Sequence, residues 1–216
     1  MKGKLVKVEQ FITGPWKENC YVVSSSDRSC IVIDPGDDFP IINAYLNKEN
    51  LTPLAVLNTH AHYDHLGAVS DIKERYNIEF YLHFADSKLL KAANFYRAFF
   101  LGEKQIRIPI AEHNLALTPT LQFGSLNIKI IHTPGHTPGG VCFEIENSVF
   151  SGDTLMSKDI GRTDLPGGDK AALLNSISLL FQSFPKETMF YPGHGPALTL
   201  GEISQKNPHA SECSNY

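Results

Sequence analysis

Residues 58–67 read NTHAHYDHLG and place His60, His62, Asp64 and His65 within six positions. Few features constrain a chain more, because four side chains carrying lone pairs or charge must share one environment, and that fixes the backbone around them. The preceding PLAVLNTH is a continuous apolar run, which reads as a buried strand whose C-terminal end carries the motif. In an extended segment residues i, i+2 and i+4 point the same way. His60, His62 and Asp64 would then project to one side, while His65 turns with an incoming helix over HLGAVSDIKERYN. Neutral imidazole and carboxylate suit Zn²⁺, Fe²⁺ or Mn²⁺. One segment cannot complete two coordination shells, and three further candidates stand at strand ends: His136 in HTPGHTPGG, Asp153 in FSGDTL and His194 in YPGHGP. Each has a neighbouring glycine, which lets the backbone turn sharply beside a buried ion.

Elsewhere short β-rich runs alternate with helical stretches. LVKVEQF, CYVVSSS and CIVIDPG read as hairpin-connected strands, and residues 39–49 have helical spacing. IEFYLHF is a strand. ADSKLLKAANFYRAFFLG is a helix that starts at Ala85 or Asp86 and stops at Gly102. Residues 103–118 are less regular and read equally as a flap over a site or as a surface connection. Strands resume at LQFG, LNIKIIH, GVCFEIE and NSVFSGD, DKAALLNSISLLFQSF is a helix, and ETMFYPGHG supplies a last strand and loop. No linker interrupts this order. Residues 1–216 therefore read as a single α/β domain, two sheets face to face with helices outside, a four-layer αββα sandwich with its polar strand ends on one edge.

Composition narrows the partners. With 42% hydrophobic residues and a net charge of -4, the chain can bury one sizeable core and has no cationic excess for nucleic acid. No apolar run reaches signal-peptide length or the ~20 residues of a membrane span, so a cytoplasmic location away from membranes is expected. Cys20, Cys30, Cys142 and Cys213 lie far apart without a CxxC pair, which fits reduced thiols. Histidines and carboxylates are left to carry any metal chemistry.

THAHYDH, TPGHTPG, SGDTL and YPGHG, in this order and spacing, resemble the motifs of the metallo-β-lactamase-fold hydrolases, especially the glyoxalase II-like branch. GRTDLPGGD and GPALTLGEISQKNP are similar to its short bacterial members, and the resemblance covers nearly the whole chain. It implies that His60, His62 and His136 hold one divalent metal, that Asp64, His65 and His194 hold a second, and that Asp153 bridges both. Zinc is the expected metal, with iron or manganese acceptable to the same donors. The implied activity is hydrolysis of a small-molecule thioester, a hydroxyacylglutathione or another thiol ester. A bridging hydroxide, available at neutral pH because metal binding lowers the pKa of water, attacks the carbonyl, with Asp64 and Asp153 as the catalytic carboxylates.

Arg162 lies nine residues after Asp153, and similarity to persulfide dioxygenases gives it a substrate carboxylate to bind. An ion pair with Asp164 or Asp169 is its other reading. Tyr191 is a second pocket candidate, with Lys158 and Tyr96 behind it. His132 takes a supporting role, His83, His113 and His209 structural or surface roles, and Asp34 either supports the site from behind or forms a turn.

Glyoxalase II enzymes carry a C-terminal helical region that helps to bind glutathione, whereas this sequence runs 22 residues beyond His194, so no separate domain of that kind is expected. A different reaction class is persulfide oxidation at one iron held by His60, His136 and Asp153. A non-catalytic metal-binding protein is a third class, although it would be expected to show a broken ligand set. A secreted β-lactamase should show an export signal, and RNA-processing relatives an inserted domain and a basic surface; neither is visible.

Overall fold

The computed structural model describes residues 6–102 and 105–210; Cys213, one of the predicted thiols, lies outside the described residues. The first sheet contains β1 (Lys7–Thr13), β2 (Glu18–Ser24), β3 (Ser29–Ile33), β4 (Thr52–Leu57), β5 (Glu79–Leu82) and β6 (His113–Asn114), hydrogen-bonded in that order. Pairing is antiparallel from β1 to β3 and parallel from β3 to β6. The second sheet contains β7 (Thr120–Phe123), β8 (Leu126–His132), β9 (Val141–Ile145), β10 (Ser148–Gly152), β11 (Met189–Pro192) and β12 (Leu198–Thr199). It is antiparallel except where β10 pairs with β11.

The apolar runs become strands buried on both faces, and the period of two sorts their side chains between layers. Tyr21, Val23, Ile31, Ile33, Ala55 and Leu57 meet Leu126, Ile128, Val141, Phe143, Ile145 and Phe150 between the sheets. The alternate residues Val22, Val32, Val56 and Phe80 face α1 (Phe39–Lys48), α2 (Val69–Tyr76) and α3 (Ser87–Leu101), which bury Ile42, Leu46, Val69, Ile72 and Leu90 against them. Cys142, Val149 and Phe190 face α4 (Lys170–Ser183) and α5 (Leu200–Lys206) through Leu173, Ile177, Leu180 and Ile203. At about 1.5–3 kcal/mol for each fully buried large side chain, these three apolar layers fix how the sheets stack. The result is the four-layer αββα sandwich. No helix among the described residues is long and apolar enough to cross a membrane. Cys20, Cys30 and Cys142 are buried free thiols.

Two expectations change, and a third, left open between two readings, takes one of them. The helix expected from His65 onward starts only at Val69, and Tyr63–His65 is instead one 3₁₀ turn. Gly67 explains the gap: a Cβ there would stand 2.1 Å from the Gly36 carbonyl, and the Ala68 amide donates to Pro35 at 3.0 Å, so this loop is pressed on the one after β3. Of the two readings of residues 103–118, the described part, 105–118, follows the surface connection and forms a strap. Ser70 and Lys73 of α2 donate to the carbonyls of Arg107 and Ile110, Asn94 of α3 clasps Ile106, and the strap ends by pairing β6 with β5. The two-residue strands β6 and β12 and the helix α5 were not expected. TLGE does carry the signal for α5, since Thr199 and Glu202 form a capping box.

Candidate metal centre

The C-terminal ends of β4, β8, β10 and β11 open on one edge and bring all seven predicted side chains together. His60, His62 and His136 offer ring nitrogens within 4.8 Å of one another, and Asp64, His65 and His194 form a second such trio. The turn at Tyr63–His65 divides the motif. His60 and His62 precede it and face His136, whereas Asp64 and His65 lie within it and face His194. The expectation that Asp64 shares a side with His60 and His62 is therefore corrected, because a helical turn breaks the extended parity.

Asp153 follows β10 and stands between the trios. Its Oδ2 lies 3.5 Å from His136 Nε2 and 3.7 Å from His194 Nε2, while its Oδ1 lies 3.7 Å from His65 Nε2. Asp64 Oδ2 is 3.3 Å from His194 Nε2 and 3.9 Å from His65 Nε2. Gly193 permits this closeness, since a Cβ there would come within 2.2 Å of Asp153 Oδ1 and 2.9 Å of His65 Cε1.

Hydrogen bonds behind the rings decide which nitrogens face inward. His136 Nδ1 donates to the Arg162 carbonyl at 2.8 Å. The Thr59 hydroxyl donates to Asp34 Oδ2 at 2.6 Å, so its oxygen is left to accept from His60 Nδ1 at 3.0 Å. Both rings then present a bare Nε2, and these two atoms face each other at 3.3 Å. Two buried lone pairs in that position repel unless a cation lies between them. Nitrogens each about 2.0–2.1 Å from a tetrahedral ion are about 3.3–3.4 Å apart, so the observed spacing fits one. His62 Nε2, His65 Nε2 and Asp153 Oδ1 are buried with no hydrogen-bond partner, a costly condition that divalent ions would relieve. Asp34, His60 and His65 also lie within 4.8 Å of one another, but Asp34 already accepts from Thr59 through both oxygens. Asp34 thus serves as a support.

Residues 13–194 match the family model described as "Metallo-beta-lactamase superfamily". The chain belongs to the metallo-β-lactamase superfamily. Members are generally metal-dependent hydrolases. "Probable metallo-hydrolase YqgX" of Bacillus subtilis is 35% identical, with 94% of this chain and 97% of that protein covered. "Hydroxyacylglutathione hydrolase GloC" of Haemophilus influenzae is 30% identical over 89% of this chain and 92% of that one. Among solved structures, BLEG-1 B3 metallo-β-lactamase superposes with a TM-score of 0.89 at 37% identity, covering 95% of this chain and 100% of that one. TTHA1623 in a di-iron-bound form gives 0.83 at 38% identity, covering 93% and 99%. The metallo-β-lactamase fold thus accounts for the layers, and the His-rich edge is its candidate metal site.

Charge divides the imidazoles of this edge into two kinds. Burial, reinforced by His136, lowers His62 to about 3, and burial pushes His60 well below its ordinary value with help from His65 and His136. Both stay neutral and ready to ligate. Burial also acts against a proton on His65, but Asp64, Asp34 and Glu18 outweigh it and raise His65 well above 6.5. His194 is raised too, with burial opposed by Asp153 and Asp64. Burial raises Glu18 well above 4.5.

A pH dependence follows for the metal-free protein. In the unfolded chain both imidazoles lose their protons near 6.5, whereas the fold retains them at higher pH. Above 6.5 the folded state therefore binds more protons, and stability falls as pH rises. Each imidazole contributes at most about 1.4 kcal/mol per pH unit in that window. Chelator-treated protein should show a lower urea midpoint at pH 8.5 than at 6.5, and loading with a divalent metal, which replaces both protons, should abolish the fall. Equal midpoints without metal would refute the assignment.

The remaining candidates are placed as follows. The Arg162 guanidinium forms two 2.7 Å bonds with Asp164 and is half exposed, so of its two readings the ion pair is present. Asp169 instead caps α4. Tyr191 is corrected: its ring stacks on Phe150 at 4.9 Å and meets Tyr21 at 5.4 Å between the sheets, with its hydroxyl toward Ser148 at the far end of β10. The parity of β11 sends Tyr191 inward and Phe190 toward α4. Tyr96 packs on the outer helical layer, and Lys158 is exposed. His132 bonds the Pro138 carbonyl and stacks on His83, His113 pairs with Glu79, and His209 lies 3.5 Å from Asp159.

Several supports were missed. Asp86, read only as a helix start, is fully buried and accepts from Ala61 N, Thr137 Oγ1 and Gly139 N. Asn19 ties the sheets together by donating to the Pro192 and Gly195 carbonyls, and Asn58 holds the His65 carbonyl at 2.7 Å. Glu18, the first residue of β2, also went unread, although it is fully buried and accepts from Thr13 Oγ1.

Proposed function

We propose that this chain is a binuclear metal-dependent thioester hydrolase of the glyoxalase II type, acting on a hydroxyacylglutathione or another small thiol ester. His60, His62 and His136 hold one cation, Asp64, His65 and His194 the other, and Asp153 is shared. The carrying observation is Asp153, whose two oxygens reach ring nitrogens of both trios within 3.7 Å. A single iron on His60, His136 and Asp153 would leave Asp64, His65 and His194 as a second converging set of donors with no ion to hold. The 30% identity to a hydroxyacylglutathione hydrolase and the di-iron-bound form of TTHA1623 support the reading. Zinc is the first metal expected, and iron or manganese suits the same donors.

Bound here, divalent ions supply a water that ionises near neutral pH and a Lewis acid for the scissile carbonyl. The protein's own part is positioning. Asp34 acting through Thr59 holds His60, and the Arg162 carbonyl holds His136, so both rings keep their tautomer. His194 is 26% exposed and the Asp64 side chain 15%, whereas His60, His62, His65 and His136 are buried, so substrate enters beside Asp64 and His194. Arg162, whose carbonyl holds His136 of the first trio, can hold a substrate carboxylate only by sharing its guanidinium with Asp164. The test is metal quantification on protein purified without added metal, paired with S-lactoylglutathione hydrolysis and persulfide-dependent oxygen uptake. Two metals and hydrolysis are expected; one iron with oxygen uptake would overturn the proposal.

A further inference from the structure

A ring that ligates a cation through one nitrogen needs its other nitrogen held as well, or the ligating atom loses its aim. In the first trio neutral groups do this, Thr59 behind His60 and the Arg162 carbonyl behind His136. His65 is arranged differently. Its Nε2 faces Asp64 and Asp153, and its Nδ1 faces two buried carboxyls, 3.3 Å from Asp34 Oδ2 and 3.6 Å from Glu18 Oε1. His65 Nδ1 and Glu18 Oε1 are both buried with no hydrogen-bond partner. The two acids are not equivalent. Asp34 already accepts from Thr59 through both oxygens, which commits it to the first trio. Glu18 accepts from the Thr13 hydroxyl through Oε2 at 2.7 Å, which leaves Oε1 for His65.

An acid is a costly choice for this place. Every position of β2 is buried, and the Glu18 carboxyl at its head gives up its hydration for the one bond from Thr13. The fold makes room for it, since a Cβ on Gly36 would clash with Glu18 Oε2 and with the Asp64 carbonyl. The backbone is fixed as well. Glu18 forms a β-bridge with His194, and Asn19 N donates to the Gly193 carbonyl at 2.7 Å. Glu18 thus joins two members of the second trio, His65 through its side chain and His194 through its backbone.

We propose, resting on the binuclear part of the hydrolase reading, that Glu18 is a positioning residue for the second cation: its Oε1 accepts from His65 Nδ1–H and so aims Nε2 at the ion held with Asp64 and His194. A His65 that ligates through Nε2 carries its remaining proton on Nδ1, and that proton needs an acceptor. A carboxyl oxygen accepts whether or not the acid is ionised. The first trio has its own supports in Thr59 and the Arg162 carbonyl, so its affinity does not depend on Glu18.

The test compares Glu18→Met, which keeps the length of the side chain and removes both acceptors, with Glu18→Gln, whose amide offers a carbonyl to His65 and an N–H to Thr13. Calorimetric titration of the metal-free chain with cadmium reads the stepwise affinities. Cadmium NMR of the loaded chain gives a resonance for each site, and the one that His194→Ala removes belongs to the second. In Glu18→Met the second affinity should fall roughly 10- to 100-fold and its resonance should move, with the first step and its resonance unchanged. Glu18→Gln should restore most of the affinity. Should Glu18→Met not fold, Glu18→Asp, which draws the acceptor back by one methylene, takes its place with the same expected result. Equal losses at both sites together with a lowered melting temperature of the metal-free variant would make Glu18 a packing residue and overturn the assignment. An unchanged second affinity would leave His65 to Asp34 and overturn it while sparing the binuclear reading. Wild-type protein that binds a single cation per chain would remove both.

Discussion

Asp153→Ala should yield a folded protein that holds at most one divalent ion per chain and hydrolyses thioester at about a thousandth of the wild-type kcat/KM or less, a loss of roughly 4 kcal/mol. The size follows from what the carboxylate touches. Its oxygens approach His136, His65 and His194 within 3.7 Å, so a single truncation removes a donor from both trios and a negative charge from between them. Truncating a support behind one ring, such as Asp34 behind His60, should cost only about 10- to 100-fold in metal affinity. Elemental analysis and steady-state kinetics read the effect, and a cooperative melting transition of the metal-free variant separates a lost ligand from an unfolded chain. A variant that kept both metals and full turnover would show that Asp153 is not shared.

The layers were legible in CYVVSSS, CIVIDPG, PLAVLNTH and GVCFEIE because strands buried on both faces must be apolar at nearly every position, and few other structures demand that. The candidate ligands were legible for a related reason: histidines and aspartates beside glycine, just beyond such runs, have little to do there except meet one another. The family resemblance implied the division into trios, but the spacing alone put Asp64 with His60 and His62, because the 3₁₀ turn at Tyr63–His65 is three residues long and leaves no periodic trace. Tyr191 misled by proximity. It lies three residues before His194, but strand parity, which short runs such as MFYP leave ambiguous, turns it into the inter-sheet layer. Asp86 was invisible because its three partners are 25, 51 and 53 residues away, and nothing local distinguishes a cap from a hub.

That hub carries the second large effect. Asp86→Ala should destabilise the metal-free protein by about 3–5 kcal/mol, because a buried acceptor is lost while three donors remain in place. Burial raises the Asp86 carboxyl, so holding it there has a cost, and the bonds from Thr137, Gly139 and Ala61 offset that cost. Oδ2 accepts from Ala61 N at 3.1 Å and Thr137 Oγ1 at 2.8 Å, and Oδ1 accepts from Gly139 N at 2.6 Å. Ala61 lies between His60 and His62, and Thr137 follows His136, so one carboxylate clamps both loops that supply the first trio. Without it the two loops lose their register. The melting temperature should fall by roughly 6–15 °C. Metal affinity should fall more at the first trio than at the second, because Asp64, His65 and His194 do not depend on this clamp. Asp86→Asn separates the terms: it keeps the volume but turns an amide donor toward one of the buried donors, so most of the loss should persist. A variant that melts like the wild type would show that the two loops are held by other contacts, and that the edge is built without the residue at which α3 begins.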